Sequence, residues 1–520
     1  MVSKALVASV WRMLNYRFRE GVHVDSDENA VVITSPYATR LNSIQQSLKI
    51  EAPSDSLMSL LQDLSAKGVS RAQFCINDDA LPAIADHQEL FDELEVFYAK
   101  GLLFVEISGL KGAAICLDPV KSSLHRKTVP VGDYRIKLSK FVRVLPRVDG
   151  LQITTPLATA MVLLKDQRLF PILMQLVSAC DRKTFQDALP DDLRGHHEDV
   201  VSLLLSSGVA GVCDGEGVVD IDKEAVDAGW TPEDLAFHCH TREQFIDVCR
   251  NQSLPKPINK QRLPAKHQRI VLSTAALPEP SRIHHNLSFF QVVCERKTVR
   301  AYHEQPVTAG VLSDFLWYSM HIREEIICDP GLSRAYSGLL RPVASAGALH
   351  SIELYLCINR CIGLQPGFHH YDSSNHSLGK LSDLGEPCLQ MLDLAAASTC
   401  RAPQVASVSP GQGQRPDVLV VMAARYGRTA SLHQQTDLSY ALILKDVGSI
   451  YQQLYLVATA LGLAPCGLSF GSSELFEQAS GLSGRQECSV GEFMIGNPAS
   501  TPGFDSGTAG VASSPNKHRP

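Results

Sequence analysis

The most constraining feature of this chain is a long apolar stretch over residues 440–467, YALILKDVGSIYQQLYLVATALGLAPCG. Its apolar side chains would cover nearly the whole circumference of a helix, and such a helix must be buried, often in a subunit interface. The stretch ends in Gly-Leu-Ala-Pro-Cys-Gly, and glycine and proline are typical of the end of a helix. We therefore predict a long buried helix that is followed at once by a loop at Pro465, Cys466 and Gly467.

A second informative segment is RPVASAGALHSIELY, residues 341–355. Four small residues at 345–348 precede a strand-like apolar run at 352–358. Small side chains let backbone amides approach a flat or anionic ligand closely. This segment is therefore predicted to contact a ligand through its backbone.

The bulk composition excludes several classes of protein. The 520 residues leave room for more than one domain, and a formal charge of −7 argues against a general nucleic-acid binder. The N-terminus lacks a small-residue cleavage site, and no uncharged apolar run reaches the roughly 18 residues of a membrane span. The 14 cysteines include no CxxC pair, so we expect reduced thiols in a cytoplasmic protein, without a metal site.

The N-terminal half contains a weak internal repeat. Each copy has a hairpin signal, a helix-like segment and a closing apolar run. The hairpin signals are Asp27-Glu28-Asn29 and Asp149-Gly150, the helix-like segments are 56–67 and 199–207, and the apolar runs are 102–105 and 209–213. The repeat predicts two small α+β modules of winged-helix type, at residues 1–115 and 116–249.

The rest of the chain divides into a linker, a second domain and a tail. Residues 250–283 are polar and rich in proline, which is linker composition, and residues 499–520 are rich in Gly, Ser and Pro and are predicted to be disordered. Helices and strands alternate over 284–498, which indicates an α+β sandwich. The predicted strands are 352–358, 418–423 and 492–495, and Thr308 is a predicted helix cap.

Candidate anion-binding residues lie at the start of this domain. Arg296 and Arg300 are four residues apart, so they would share one face of a helix, with the Thr298 hydroxyl between them. The planar guanidinium fork suits phosphate oxygens. The commoner explanation of such spacing is an exposed basic helix face.

Together, these segments resemble the flavin cradle of the nitroreductase superfamily, and more narrowly its SagB/ThcOx-type branch of azoline dehydrogenases. The resemblance implies an α+β protein in which a nitroreductase-like FMN-binding α/β sandwich is preceded by two modules similar to winged-helix and leader-recognition domains. It also implies FMN as cofactor and a homodimer. Leader recognition typically adds a peptide strand to an exposed sheet edge, whereas modules of this kind can also serve only as a buttress.

The resemblance assigns roles residue by residue. Arg296, Thr298 and Arg300 correspond to the R-R-S-x-R signature that holds the phosphate and the ribityl chain. Ser345 and Gly347 match the P-S-x-G-G-x-Y-P motif, and His350 stands at its aromatic position. The remaining cofactor-binding candidates are Pro465, Cys466 and Gly467 in the loop over the flavin edge, and Gln452, which would contact flavin or lie buried at the dimer seam.

One departure from the family concerns the catalytic base. The branch places a Lys-Tyr pair shortly before the tyrosine that corresponds to Tyr440, but this chain has Gln434 and Gln435 there. Aromatisation of an azoline requires a base for one C–H proton, and a neutral amide cannot be that base. His433 has the most suitable intrinsic pKa, so His433 and Tyr440 are the catalytic candidates. Tyr426 and Lys445 are the other nearby groups.

We therefore expect an FMN-dependent oxidoreductase of a biosynthetic pathway that carries out a two-electron oxidation of the azoline-to-azole type. Its substrate would be a heterocycle on a peptide or on a carrier-bound intermediate, and a cyclodehydratase or a synthetase would be its partner. One alternative is an NAD(P)H-dependent reductase of nitro or quinone compounds. The other is a non-catalytic peptide-binding scaffold, which the loss of the Lys-Tyr pair favours.

Overall fold

The computed structural model describes most of the chain from residue 129 onward and separate segments before it. The described residues are 14–18, 22–26, 30–34, 47–51, 55–66, 69–70, 97, 103–109, 112–119, 129–239, 241, 269–281, 287–328, 336–398, 414–432 and 437–499. The chain forms two compact units, Met1–Leu254 and Pro255–Pro520. In the described part, no helix has the length and apolar character needed to cross a membrane.

The N-terminal unit is built on a seven-stranded sheet. Its strands are β1 (Leu14–Phe18), β2 (His23–Ser26), β3 (Ala30–Thr34), β4 (Ser47–Glu51), β5 (Val69–Ser70), β6 (Leu103–Gly109), β7 (Gly112–Pro119), β8 (Arg135–Leu138), β9 (Arg143–Arg147), β10 (Gly150–Thr154), β11 (Ala160–Leu164), β12 (Cys180–Asp181) and β13 (Ala210–Val212). The large sheet has the order β5-β1-β6-β7-β11-β10-β9, and the orders β2-β3-β4 and β12-β8-β13 form two smaller sheets. The predicted hairpins at 27–29 and 149–150 are confirmed as the β2–β3 and β9–β10 connections.

Amphipathic helices cover these sheets. They are α1 (Asp55–Ala66), α2 (Phe170–Gln175), α3 (Arg182–Ala188), α4 (Asp191–Arg194), α5 (His197–Ser207) and α6 (Lys223–Asp227), and residues 232–239 are also helical. In α1, Leu57, Leu60, Leu61 and Leu64 are buried, which is the spacing of a single helix face. Helices α1 and α5 confirm the helices predicted at 56–67 and 199–207.

The division between the two predicted modules falls inside a strand. Residues 115 and 116 belong to β7, which pairs with β6 on one side and with β11 on the other. One sheet therefore joins the two predicted modules, 1–115 and 116–249. Their winged-helix character and their role in peptide binding stay predictions.

The C-terminal unit is a mixed α+β sandwich around one antiparallel sheet. Its strands are β14 (Ser273–Ala276), β15 (Glu324–Cys328), β16 (Tyr336–Leu340), β17 (Ile352–Ile358), β18 (Gly367–Asp372), β19 (Ser377–Ser382), β20 (Val418–Ala424), β21 (Ala464–Leu468) and β22 (Cys488–Gly496). The main sheet has the order β14-β19-β18-β17-β20-β22-β21, and β15 and β16 form a separate hairpin. Strands β17 and β20 are buried along their whole length; the run of β20 is apolar throughout, and that of β17 is apolar except for Glu353.

Helices cover both faces of this sheet. They are α7 (Phe289–Glu295), α8 (Ala309–Met320), α9 (Glu386–Ala397), α10 (Tyr426–Leu432), α11 (Asp437–Ala460) and α12 (Ser473–Ser480). One apolar core lies between the sheet and α8 with α11, and the other lies between the sheet and α9 with α12. Thr308 caps α8, since its Oγ1 accepts the Val311 N–H at 3.3 Å. Strand β14 shows that the predicted linker 250–283 contributes its last residues to the sheet. Residues 500–520 lie outside the described residues.

Helix α11 is the long apolar helix that the sequence predicts. Its buried stripe includes Ile443, Val447, Ile450 and Leu454, which lie against the sheet. The helix ends just before Gly462, whose positive φ of 69° suits a glycine at a helix C-terminus. The side of α11 that faces away from the sheet is exposed in the single chain.

Candidate functional site

The segment 296–300 is extended rather than helical, so the prediction of a shared helix face is wrong. Helix α7 ends at Glu295, and Arg296 leaves the helical region with φ −54° and ψ 118°. The Val299 N–H donates to the Pro465 carbonyl oxygen at 2.8 Å, so the segment lies along β21, the edge strand of the sheet. The β-branched side chains of Thr298 and Val299 favour this extended backbone.

Residues 465–467 also differ from the prediction, because they form part of strand β21 and not a loop. The apolar neighbours of Cys466 in β22 explain this, since pairing with that strand buries Cys466 in the sheet core. The consequence for the site is that Pro465 and Gly467 present a rigid strand edge to the segment 296–300.

The Tyr455 side chain of α11 contacts both the segment 296–300 and strand β21. Its hydroxyl lies 2.9 Å from Thr298 Oγ1 and accepts the Gly467 N–H at 2.8 Å. The Arg296 guanidinium carbon lies 5.3 Å from the centroid of the Tyr455 ring, within the range of a cation–π contact. One aromatic side chain thus positions three of the predicted cofactor-binding residues.

The two arginines of the segment provide positive charge at this end of the sheet edge. Among the described residues, neither Arg296 nor Arg300 forms an ion pair within 4.0 Å. Arg300 is exposed and lies beside the Cys466 thiol. Burial raises the pKa of that thiol above its ordinary value, and Arg300 acts in the opposite direction. The arrangement can bind an oxyanion such as a phosphate, since two guanidiniums and a hydroxyl supply the donors.

The small-residue segment forms a second part of the candidate site. Ser345 Oγ donates to Asp446 Oδ2 at 2.5 Å and accepts the His350 N–H at 3.0 Å, while the Ala346 N–H donates to Asp446 Oδ1 at 3.0 Å. Gly347 has a φ of 59°, a left-handed conformation that favours glycine. The Ser345 hydroxyl is therefore occupied inside the chain, where it anchors the segment to α11.

Asp446 is the buried acceptor that fixes this segment. It is 8% exposed, and burial raises the pKa of its carboxyl group. The hydrogen bonds from Ser345 and Ala346 act in the opposite direction because they stabilise the carboxylate.

The two parts of the candidate site lie on opposite flanks of α11. Asp446 and Tyr455 are nine residues apart, which corresponds to a rise of about 13.5 Å and a rotation of roughly 180° about the helix axis. The structure therefore does not bring Ser345 and Gly347 onto the flank that holds Arg296, Thr298 and Gly467.

Two further predicted residues, Gln452 and Tyr440, lie on the exposed side of α11. Gln452 is exposed in the single chain, and Tyr440 is 39% exposed. Burial, followed by the nearby Cys488, raises the pKa of the Tyr440 hydroxyl. His433, Gln434 and Gln435 lie outside the described residues.

Sequence reasoning missed Tyr455 and a buried glutamate, Glu492. Glu492 is 7% exposed, and burial raises the pKa of its carboxyl group to about 7. Its carboxylate lies so close beneath Gly471 that a Cβ there would clash with it. An acidic residue inside the apolar strand β22 was the signal in the sequence. No comparable signal pointed to Tyr455, which lies in an aromatic-rich helix.

Comparison with known proteins assigns the C-terminal domain. Residues 293–496 match the model of the Nitroreductase family, which implies an oxidoreductase. A provisionally named nitroreductase of Methanocaldococcus jannaschii is 27% identical over 187 residues, which cover 36% of this chain and 81% of the relative. The mixed α+β unit at the C-terminus of this chain thus contains a nitroreductase-family domain.

Solved structures give weaker likenesses. A provisionally named nitroreductase of Ralstonia eutropha is 18% identical with a TM-score of 0.32, over 46% of this chain and 97% of that protein. The E. coli microcin synthetase McbBCD complex with truncated pro-MccB17 bound is 18% identical with a TM-score of 0.31, over 45% of this chain and 79% of the matched chain. Likenesses at this level do not establish function.

Proposed function

We propose that this protein is an FMN-dependent oxidoreductase that removes two electrons from a heterocycle, in a reaction of the azoline-to-azole type. The substrate would be a peptide or a carrier-bound intermediate. The observation that carries the proposal is the convergence of Arg296 and Thr298 on Tyr455, in a segment that also contains a second cation, Arg300; among the described residues neither arginine forms an ion pair. This convergence lies within the part of the chain that matches the Nitroreductase family.

The residues present fit the phosphate end of FMN. A phosphate dianion needs charge compensation and hydrogen-bond donors, and Arg296, Arg300 and Thr298 offer both. Bound FMN would supply the two-electron acceptor for the oxidation. Tyr455 would keep the phosphate-binding segment fixed on strand β21, because its hydroxyl bonds to both.

The arrangement on α11 supports a homodimer. Because Asp446 and Tyr455 lie on opposite flanks of one helix, a single flavin would take its phosphate site from one subunit and the 345–348 segment from the other. The exposed side of α11, which includes Tyr440 and Gln452, would then be covered by the second subunit.

Two residues, Tyr440 and His433, are the candidates for transferring a proton in this reaction. The pKa of Tyr440 is raised, so its phenol stays protonated near neutral pH and can donate a hydrogen bond but cannot act as the base. We assign the C–H proton to His433, whose neutral imidazole is a suitable base. His433→Phe should abolish turnover and leave FMN bound; full activity would rule out His433 as the base.

The test of the flavin site compares two neighbouring variants. Arg296→Ala removes a phosphate ligand, and we expect FMN to bind about 10- to 100-fold more weakly, since a hydrogen bond to a charged group contributes about 1.5–3 kcal/mol. Lys297→Ala is the matched control, because Lys297 is an exposed cation one residue away. Fluorescence titration of the apoprotein with FMN measures both affinities. Equal affinities in the two variants would refute the assignment of Arg296.

The family match also favours a second candidate, an NAD(P)H-dependent reductase of nitro or quinone compounds. Rapid bleaching of the bound flavin by NADPH under anaerobic conditions would favour reduction over oxidation. A third candidate, the peptide-binding scaffold, is favoured by Gln434 and Gln435 in place of a Lys-Tyr pair. A colourless preparation that takes up no FMN but binds a precursor peptide would support the scaffold.

A further inference from the structure

A separate group of buried charges lies at one end of the C-terminal sheet. Arg341 follows β16, Glu353 is near the start of β17, and Arg425 follows β20. Antiparallel pairing aligns Glu353 with Ala423, and the Arg425 N–H donates to the Ser351 carbonyl oxygen at 2.9 Å. The fold thus brings three charged residues from three strand ends together.

This group contains more positive than negative charge. Arg341 and Arg425 are each 5% exposed, Arg428 of α10 is 8% exposed, and Glu353 is 1% exposed. Glu353 forms ion pairs with Arg425 Nε at 3.1 Å and with His370 Nε2 at 3.2 Å. Buried charges are normally paired, yet within this described group one carboxylate faces three guanidiniums.

The pKa shifts of the neighbouring groups are consistent with an excess of positive charge in this group. Burial and the adjacent Arg341 and Arg428 lower the pKa of His350 to about 3, so the imidazole is neutral and adds no charge. Burial also lowers the pKa of Arg341, while the attraction of Glu353 opposes that effect. Burial and the adjacent Arg425 lower the pKa of Arg428 to about 10, while Glu353 and the exposed carboxylate of Glu325 oppose that effect.

Arg341 has an unused pair of donors. Its Nε and Nη2 atoms are buried and have no hydrogen-bond partner in the described part of the chain. The same two atoms of Arg415 bind Asp393 Oδ1 and Oδ2 at 2.6 and 2.8 Å. In Arg428 they bind two backbone carbonyl oxygens at 2.6 and 3.1 Å. Arg341 therefore presents the edge of the guanidinium that elsewhere in this protein holds two oxygens.

We propose that Arg341, beside the positive charges of Arg425 and Arg428, binds an oxyanion group of a small molecule, either a carboxylate or a phosphate. The guanidinium edge matches two oxygens of such a group, and the group's negative charge would balance the excess of buried arginines. The proposal is independent of flavin binding at Arg296 and Arg300.

Thermal unfolding of the full-length protein tests this site. The probes are inorganic phosphate and acetate, each compared with chloride at constant ionic strength and pH. We expect one of them to raise the melting temperature by roughly 3–6 °C at about ten times its Kd. An effect of acetate identifies a carboxylate site, and an effect of phosphate alone identifies a phosphate site. The absence of an effect from both anions would overturn the proposal.

Substitutions of Arg341 test whether the rise in melting temperature comes from anion binding at this residue. Arg341→Gln should abolish the rise, whereas the matched control Arg415→Gln, which alters a paired and partly exposed arginine, should keep it. Arg341→Lys keeps the charge but loses the two-donor edge, so calorimetry should show binding at least about tenfold weaker. An unchanged response in Arg341→Gln, or a response lost in Arg296→Ala, would contradict the assignment.

A further measurement separates ligand binding from a structural role. Arg341→Met removes an unpaired buried charge, so without added anions its melting temperature should equal or exceed that of the native protein. A melting temperature below the native value would mean that Arg341 stabilises the fold itself, and the proposal would fail.

Discussion

Tyr455→Phe tests whether one hydroxyl holds the candidate cofactor site together. The substitution keeps the ring, so its cation–π contact with Arg296 and its edge contact with Phe493 remain. It removes the bond to Thr298 and leaves the Gly467 N–H without its acceptor. With about 0.5–1.5 kcal/mol for each hydrogen bond, we expect the free energy of unfolding to fall by roughly 1–3 kcal/mol.

The affinity for FMN separates this role from a general loss of stability. The Thr298 side chain would lose the hydroxyl that links it to Gly467 of β21, and we expect FMN binding to weaken about tenfold, which corresponds to about 1.4 kcal/mol. Tyr451→Phe is the matched control, one helical turn earlier. The Tyr451 hydroxyl donates to the Leu468 carbonyl oxygen at 2.8 Å and accepts the Glu492 N–H at 3.0 Å. It therefore bonds to β21, as the Tyr455 hydroxyl does, and to β22, but not to the segment 296–300.

Urea unfolding measures the stability of both variants, and FMN titration measures their affinity for the cofactor. We expect similar losses of stability in the two proteins and a loss of FMN affinity only in Tyr455→Phe. If both variants bind FMN as tightly as the native protein, Tyr455 is structural and does not organise the phosphate site. If both lose affinity equally, the effect comes from the strands and our reasoning about Thr298 is refuted.

Two further predictions concern buried charges. The pKa of Glu492 is raised to about 7 in the folded protein, against 4.5 as its ordinary value, so the unfolded chain releases this proton first as the pH rises. The free energy of unfolding should therefore fall by about 3 kcal/mol between pH 4.5 and pH 7, and Glu492→Gln should remove that loss in urea titrations across this range. Arg269→Ala should cost roughly 3–5 kcal/mol, because Arg269 pairs at 2.8 Å with Glu487, which is fully buried. Arg415→Ala, which breaks the partly exposed pair with Asp393, should cost about 1 kcal/mol or less, and equal costs would contradict this ranking.

The parts of the fold that the sequence predicts well depend on local patterns. Strand β17 has the predicted bounds, because six apolar residues among the seven at 352–358 describe a buried strand. The end of α11 was also predictable, since Gly462 is the residue type that a left-handed C-terminus requires. The hairpins at 27–29 and 149–150 follow the same logic of local turn chemistry.

The predictions that failed depended on contacts with distant residues. The spacing of Arg296 and Arg300 suits a helix, but Val299 instead bonds to a strand 166 positions later in the chain. The segment 465–467 has the composition of a loop, but the sheet core recruits Cys466 as a strand residue. In both cases, tertiary hydrogen bonds outweigh a weak local preference.

The charged groups of the C-terminal unit show why a site is harder to predict than a fold. Arg341, Glu353 and Arg425 are separated by up to 84 positions in the sequence. The local sequence around each one does not distinguish it from an ordinary charged residue in or next to a strand. Only the strand register brings them to the same sheet end, where their charges no longer balance. Because burial makes an unbalanced charge costly, the imbalance is the observation on which our proposal of an anion-binding site depends. Arg296 is partly exposed and Arg300 is exposed, so solvent can stabilise their charges, and the FMN titration of Arg296→Ala tests their role directly.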